Sequence, residues 1–501
     1  MCINRSVGKE KLFRDSVHGY IKVPVRFCAD FVDTPLFQRL RRIEQTSMRV
    51  LYPSAHHDRF IHSLGVYHLG KLAVRSLRQS AEERWKEFST DSVSTDLWKR
   101  YTTTFEVACL LHDCGHAPFS HTLEEQYDPK DRGNGNAAKS KLDAELIALT
   151  ESDGVFRQDF ESCLAAPHEK TSAILVLTEF KDRIKQHDCD PLLVARMILG
   201  CLHHSTSQPD FSLDSTEKLE NCLIQLLNGK AIDVDKLDYI LRDTWASGVD
   251  NVAVDVDRLL GALIVTKIDD DFPKLAFGSR ALSVLQSAVD ARNYLYQWIY
   301  SHHKVLYDAE LLKRAVEALG KSEDESNGLG DSLLSELFST RAFREPIKIN
   351  GMEWYLPTDD DVVSLLKQYH KEIPEVKEWL FRQHSRVPLW KTVAEFHDIF
   401  QRKPETERVT IGNNLEDILE AFCLKKGFPR DAFLSARAPV KRTVIERNQI
   451  FVEVRGRPVS YSDVFGEEKK QVPTYFLVYG DRTLLHSKVQ AECVDFLLSQ
   501  S

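Results

Sequence analysis

Long apolar runs are missing from this 501-residue chain. None approaches the roughly 20 residues a membrane-spanning helix needs, and the opening MCINRSVGKEKLF has no apolar core of a secretory signal. A cytoplasmic protein with no membrane partner is therefore expected. Cysteine pairing is missing too: ten cysteines, scattered from Cys2 to Cys493, form no CxxC pair and no dense framework. That spacing excludes a zinc-thiolate site and a disulfide-stapled scaffold, and it predicts reduced core thiols. Nor is there an excess of basic charge. The 75 acidic residues outnumber the 66 Lys and Arg, giving a formal charge of -9, which disfavours a protein that neutralises nucleic-acid phosphates along its whole surface. No internal repeat occurs at solenoid periods.

What remains is an ordinary globular composition, 43% hydrophobic and 28% charged, at a length that fits two or three domains. The segment LFRDSVHGYIKVP alternates around His18-Gly19 and predicts a short hairpin. From TPLFQRLRRIEQ onward, where Thr34 precedes Pro35, helical patterns dominate. In FIHSLGVYHLGKLAVRSL, Ile61, Leu64, Val66, Leu69, Leu72, Ala73 and Leu77 form a stripe too broad for a surface helix, so this helix should be central. FEVACLLHDC should be another helix, ended soon after Asp113 by Gly115 and Pro118. Further helices are predicted at 145–152, 168–178, 191–204, 215–228, 234–245 and, as one long element, 281–319. ALIVTKIDDDFPKLAFGS should form a second hairpin, and KSEDESNGLGDS (321–332) an exposed connection. The fold class is mostly α with short β-hairpins: a helical core over residues 1–320, a helical extension over 321–404, and a small C-terminal α/β lobe over 405–501.

The stretch LLHDCGHAPFSHTLEE, residues 110–125, places three histidines, an aspartate and two glutamates within sixteen positions. Imidazole and carboxylate donors suit Zn, Mn, Fe, Co or Mg better than a thiol-seeking ion. The dipeptide alone means little, since HD occurs at His57-Asp58, His112-Asp113, His187-Asp188 and His397-Asp398. Only the second follows an apolar helix and leads into more histidines. The pairs at 187 and 397 are assigned to solvated surface, and His57 stays ambiguous. Partners for the second pair are His62 in RFIHSLG and the aspartates Asp233, Asp235 and Asp238 in IDVDKLDYILRD. A buried carboxylate is costly unless paired or coordinated to a metal. Singly, each of these residues reads as an ordinary core histidine or helix cap; together they do not.

With His62, HDCGHAPFSH and DVDKLDY in this order, the chain resembles the HD-superfamily phosphohydrolases over roughly residues 11–310, specifically the branch of dGTPases and SAM-and-HD-domain dNTP triphosphohydrolases. The resemblance implies that residues 1–320 are an HD-domain core. It implies one divalent transition metal (Mn, Fe, Zn or Co) held by His62, His112, Asp113 and Asp235, with Mg accompanying substrate phosphates. It implies catalytic roles for His116, His121, Glu124 and His168, with His121 as the acid that protonates the leaving 5'-oxygen and Glu124 orienting it. Phosphate contacts are implied for Arg59, Lys236 and Tyr239, and sugar contacts for Gln45, Asp243 and Tyr300. Between Gln45 and Arg59 the chain reads TSMRVLYPSAHHD, without the glycine run of the mammalian members, and it has no SAM module. Regulated members bind nucleotide effectors at positions matched by Lys11, Asp33, Gln38 and Arg41; the same segment also reads as a plain structural helix with surface arginines.

The implied activity is metal-dependent hydrolysis of dNTPs to deoxynucleoside and triphosphate by a homo-oligomer: dimer, tetramer or hexamer. Two alternatives stay open. One keeps the metal but changes the substrate to another nucleotide or a DNA end, and the other is a non-catalytic nucleotide-sensing subunit. The preferred dNTP, the native metal and the partner of the C-terminal lobe are not readable from the chain.

Overall fold

The computed structural model describes residues 9–88, 93–128, 140–204, 213–229, 232–249, 254–268, 271–327, 330–349, 352–437, 450–466 and 475–500. It is mostly helical, with four small sheets among the described residues. The centre is the 30-residue helix Arg59–Phe88, whose Leu64, Val66, Tyr67, Leu69, Ala73, Val74 and Leu77 are fully or almost fully buried. The Asp58 carboxylate starts it by accepting the Ile61 amide at 2.9 Å. Alongside runs Thr95–Leu111, whose first turn is capped by Ser94, with Leu97 N 3.2 Å from Ser94 Oγ. Gly70 lets the two helices approach: a Cβ there would lie 2.6 Å from Cys109 Sγ.

The helices Pro167–Leu177, Pro191–Leu199, Ser215–Leu227 and Val234–Ser247 surround this pair. The early hairpin pairs Glu10–Asp15 with Gly19–Pro24. The second, Leu263–Ile268 with Asp271–Gly278, is extended by strands from far along the chain, giving the order Arg457–Ser460, Phe451–Val454, Asp271–Gly278, Leu263–Ile268. Residues 450–461 thus join the main core, where Ile450, Val452 and Tyr461 are buried with the helices above. A separate apolar cluster joins Tyr307 and Leu311 to the sheet of Arg386–Pro388, Phe476–Asp481 and Phe433–Arg437 and to the helix Ser487–Leu498.

Three expectations need correction. The helix foreseen over 281–319 is two: Leu282–Tyr294 widens into a π turn at Leu295–Tyr300, and a new helix, His303–Asn327, starts after Ser301-His302. That helix carries the backbone through most of the foreseen connection at 321–332, with Gly330–Leu337 following. His187 is not solvated surface; its ring is buried, bonded to Asp30 at 2.9 Å and packed on Phe27 and Phe31. A hydrogen-bonded imidazole is cheap to bury, and local polarity gave no hint of a partner 157 residues away. His397 is exposed, as expected. The nine described cysteines are free thiols, eight of them buried, and no described helix is long and apolar enough to cross a membrane.

One buried acid makes stability depend on pH. Burial pushes the Glu106 carboxyl up to about 7, against the attraction of Lys71. The folded state therefore holds a proton that the unfolded chain has released, and stability falls as pH rises from the usual carboxylate range through 7. Glu106→Gln removes this slope. Denaturant titrations at pH 5 and pH 8 should show the variant gaining on the wild type at the higher pH; an equal difference at both would refute the assignment.

Candidate metal centre and its surroundings

Three chain segments meet at one point. His62 comes from the first turn of Arg59–Phe88, His112 and Asp113 from the end of Thr95–Leu111, and Asp235 from the first turn of Val234–Ser247. His62 Nε2 lies 3.0 Å from Asp235 Oδ1 and 3.6 Å from Asp113 Oδ2. His112 Nε2 lies 3.4 Å from Asp113 Oδ1 and 3.7 Å from Asp235 Oδ1. Metal bonds of about 2.1 Å separate neighbouring donor atoms by roughly 3 to 3.5 Å; His62, His112 and Asp235 bring their donor atoms within 4.8 Å of one another, a spacing that could hold a cation, with Asp113 beside them and one of its oxygens already accepting from Arg59.

The second hydrogen bond of each ring supports the same reading. His62 Nδ1 faces Asp238 Oδ2 at 2.7 Å, and His112 Nδ1 faces the Cys109 carbonyl at 2.9 Å. Acceptors there place the protons on Nδ1 and leave the Nε2 lone pairs, which are buried without a hydrogen-bond partner. Two lone pairs directed at two carboxylates are stable only around positive charge. Burial opposes charge on His62, but the Asp235 carboxylate 3.0 Å from Nε2, the bond from Nδ1 to Asp238 and the charge of Asp113 outweigh that and push its pKa up to about 9. A metal ion is the alternative holder of that charge.

Behind the cage sits a network to which the sequence motifs assign no role. Asp238 accepts from His62, from His18 Nε2 at 2.6 Å and from Arg242 Nε at 2.8 Å. Arg242 also donates to Asp15 at 2.9 Å. The i, i+3, i+7 spacing of Asp235, Asp238 and Arg242 on one helix was a readable signal; Asp15 and His18, on the hairpin, gave none. Gly65 is explained here, because a Cβ would stand 1.9 Å from Asp238 Oδ1.

Next to the cage, His116, His121, Glu124 and His168 each bring a donor atom within 4.8 Å of the others. His116 Nε2 is 4.0 Å from Asp113 Oδ1. Glu124 Oε2 contacts His121 Nδ1 at 3.2 Å and His168 Nδ1 at 2.7 Å, while the His116 ring stacks on His168 with centroids 4.3 Å apart. Burial, reinforced by Arg59 and His168, drives His116 well below the usual imidazole range, so it is neutral, and both its nitrogens lack partners. Burial also opposes charge on His168, yet the Glu124 carboxylate raises it overall. Gly115 makes the junction close: its amide donates to Ser172 Oγ at 2.9 Å, and a Cβ would meet Ser172 N at 2.4 Å.

The remaining anticipated residues show varied engagement. Arg59 is buried and donates to Asp113 at 2.8 Å, Ser120 Oγ at 2.9 Å and the Gln45 carbonyl at 3.1 Å, so it braces a cage carboxylate. Lys236 is held by Asp233 and the Gly229 carbonyl. Asp243 is gripped by Tyr300 and by His57, the latter at 2.7 Å, which resolves the ambiguity of His57. Tyr239 accepts from Arg292 at 3.0 Å. Lys11 pairs with Asp33 at 3.1 Å, and Gln38 binds both the Val32 carbonyl at 2.8 Å and Arg41 at 2.9 Å. These four lie together in exposed to half-buried positions, engaged with one another.

The HD domain family matches residues 59–172. Deoxynucleoside triphosphate triphosphohydrolase SAMHD1 of Gallus gallus is 28% identical over 394 residues, covering 77% of this chain and 56% of that protein. The Homo sapiens protein of the same name is 25% identical over 409 residues, covering 80% and 58%; the chain thus spans little more than half the length of these relatives. An uncharacterised protein of Mycoplasma genitalium is 27% identical over 299 residues, 58% of this chain and 56% of that one. Among solved structures, a hypothetical protein from Aquifex aeolicus superposes with a TM-score of 0.59 at 22% identity over 97% of this chain and all of that one. A phosphohydrolase from Bacteroides thetaiotaomicron gives 0.57 at 18% identity, over 95% of this chain and all of that one; both likenesses concern the fold. Residues 59–172 thus match the HD domain, and the chain is similar to the deoxynucleoside triphosphate triphosphohydrolases named above.

Proposed function

We propose that the protein hydrolyses deoxynucleoside triphosphates to deoxynucleoside and triphosphate. The observation that carries the reading is the meeting of His62, His112, Asp113 and Asp235, with two partnerless Nε2 atoms, beside the His116, His121, Glu124, His168 group. His62, His112, Asp113 and Asp235 would hold the cation, which supplies Lewis acidity when bound. Water adds to the α-phosphorus and the bond to the 5'-oxygen breaks, so the departing alkoxide needs a proton. His121, half-exposed and tied to Glu124, is placed to give it. His168, whose positive charge Glu124 favours, and the neutral N–H of His116 can stabilise charge on the α-phosphate.

For the sugar, Asp243, held by His57 and Tyr300, would accept from a 3'-hydroxyl, and Tyr300 would exclude a 2'-hydroxyl. The names of the animal relatives point to the same substrate class. Purified protein given each dNTP and each NTP with Mn or Mg should release deoxynucleoside and intact triphosphate from dNTPs alone. Orthophosphate or a nucleoside monophosphate as the sole product rejects this reading.

A further inference from the structure

We propose that Asp359, which lies far outside the HD domain in sequence, is a positioning residue that fixes the loop carrying His116 and His121 against the segment carrying Gln45. The inference deepens the function proposed above and rests on it for its kinetic readout.

Asp359 opens the helix Asp359–Gln368 and is buried, at 8% exposure. It has no basic partner within ion-pair distance among the described residues; its two oxygens are spent on backbone amides. Oδ1 accepts from Phe119 N at 2.6 Å and Oδ2 from Glu44 N at 2.9 Å. The ring is closed by Ser120, whose hydroxyl donates to the Glu44 carbonyl. Phe119 and Ser120 both have left-handed backbone, φ 57° and 51°, a conformation that is unfavourable for non-glycine residues and persists only where surroundings impose it. The Asp359 and Ser120 bonds are that imposition, and the Phe119 ring packs edge-on against Trp379.

The constraint reaches the chemistry in two directions. Ser120 Oγ receives Arg59 Nε, and the same guanidinium braces Asp113 and the Gln45 carbonyl. One residue beyond Ser120 is His121. In parallel, the buried Arg39 donates to the Pro357 carbonyl at 2.5 Å and to the His116 carbonyl at 2.6 Å, so the 357–359 segment grips the loop at both ends. Burying an acid with no ion-pair partner is expensive, and burial pushes this carboxyl up to about 7 against its amide bonds and the attraction of Arg39; a purely structural tie would be made more cheaply by an apolar contact. The carboxylate here accepts two amide hydrogens from different segments on two separate oxygens, which a single amide or hydroxyl oxygen does not offer.

Asp359→Asn keeps the shape but offers one acceptor and turns an N–H2 toward the other amide. At a temperature where both proteins are folded, D359N should lose at least about tenfold in kcat for dNTP hydrolysis, with KM within about threefold and metal content unchanged, because misplacement of a catalytic group by a fraction of an ångström costs rate more than binding. Leu365→Ala, in the buried face of the same helix, should lower Tm and leave kcat alone. Wild-type kcat in D359N, or an equal kcat loss in L365A, overturns the proposal. Should the wild type hydrolyse no dNTP, the functional reading alone fails. Asp359 is then judged by the diethyl pyrocarbonate reactivity of His121, which D359N should change severalfold and L365A should not; an unchanged rate in D359N overturns it.

Discussion

His112→Ala should abolish both metal retention and turnover while leaving the helical fold in place. His112 sits where the helix Thr95–Leu111 ends, 8% exposed, with its ring fixed through Nδ1 to the Cys109 carbonyl. Its Nε2 lies 3.4 and 3.7 Å from two carboxylates and makes no hydrogen bond among the described residues, so the atom is available to a cation. Alanine leaves His62, Asp113 and Asp235, one imidazole and two acids, which is too few nitrogen donors for the cage and too much negative charge for an empty one. Loss of an outer partner of a metal site typically costs 10–100-fold, so removing a direct ligand should exceed that. Elemental analysis should fall from about one metal per chain to background, with dNTP turnover undetectable and far-UV circular dichroism unchanged. Full activity in H112A, or full metal content, would remove the metal-centred account.

The residues of this cluster were legible as candidates in the chain because each lies in a short motif at a helix end. RFIHS, HDCGH and DVDK are bounded by the chain's own breakers and caps: Gly115 and Pro118 after Asp113, Asp233 before Asp235. Helix periodicity likewise located Arg59–Phe88 as central because its apolar residues cover more than one face. Hidden were the interactions whose partners are far apart in the chain and polar at both ends. His187 looked like surface until Asp30 came beneath it, and Asp359, one of three acids at a helix start, drew no sequence reading although it reaches Phe119, 240 positions earlier. Arg59 is the mixed case: its motif marks it as a site residue, but only the folded chain shows it bracing Asp113. Packing geometry also gives Gly65 a reason that composition could not, since the clash it avoids is with Asp238 on another helix.

That clash makes a second large effect testable in a form that separates contact from coincidence. Asp238 is fully buried and accepts from His62, His18 and Arg242; the attraction of Arg242 and the bonds from both imidazoles outweigh burial and hold its carboxyl well below the usual range. Asp238→Ala leaves Arg242 buried with Asp15 as its acidic partner and takes from His62 the acceptor that fixes its tautomer. Breaking a buried charge pair from one side costs about 3–5 kcal/mol, so denaturant unfolding should show a loss of that order together with weakened metal binding. Gly65→Ala should damage the same network from the opposite side. An alanine in a helix interior is ordinarily worth about 0.5–1 kcal/mol over glycine, yet here its Cβ would stand 1.9 Å from Asp238 Oδ1 and 2.5 Å from an Arg242 nitrogen. In the Asp238→Ala background the first clash is gone and the guanidinium has room to yield, so the added methyl should cost little or nothing. The double variant should therefore be much less destabilised than the sum of the two single variants; strict additivity would mean that Gly65 and Asp238 do not meet as described.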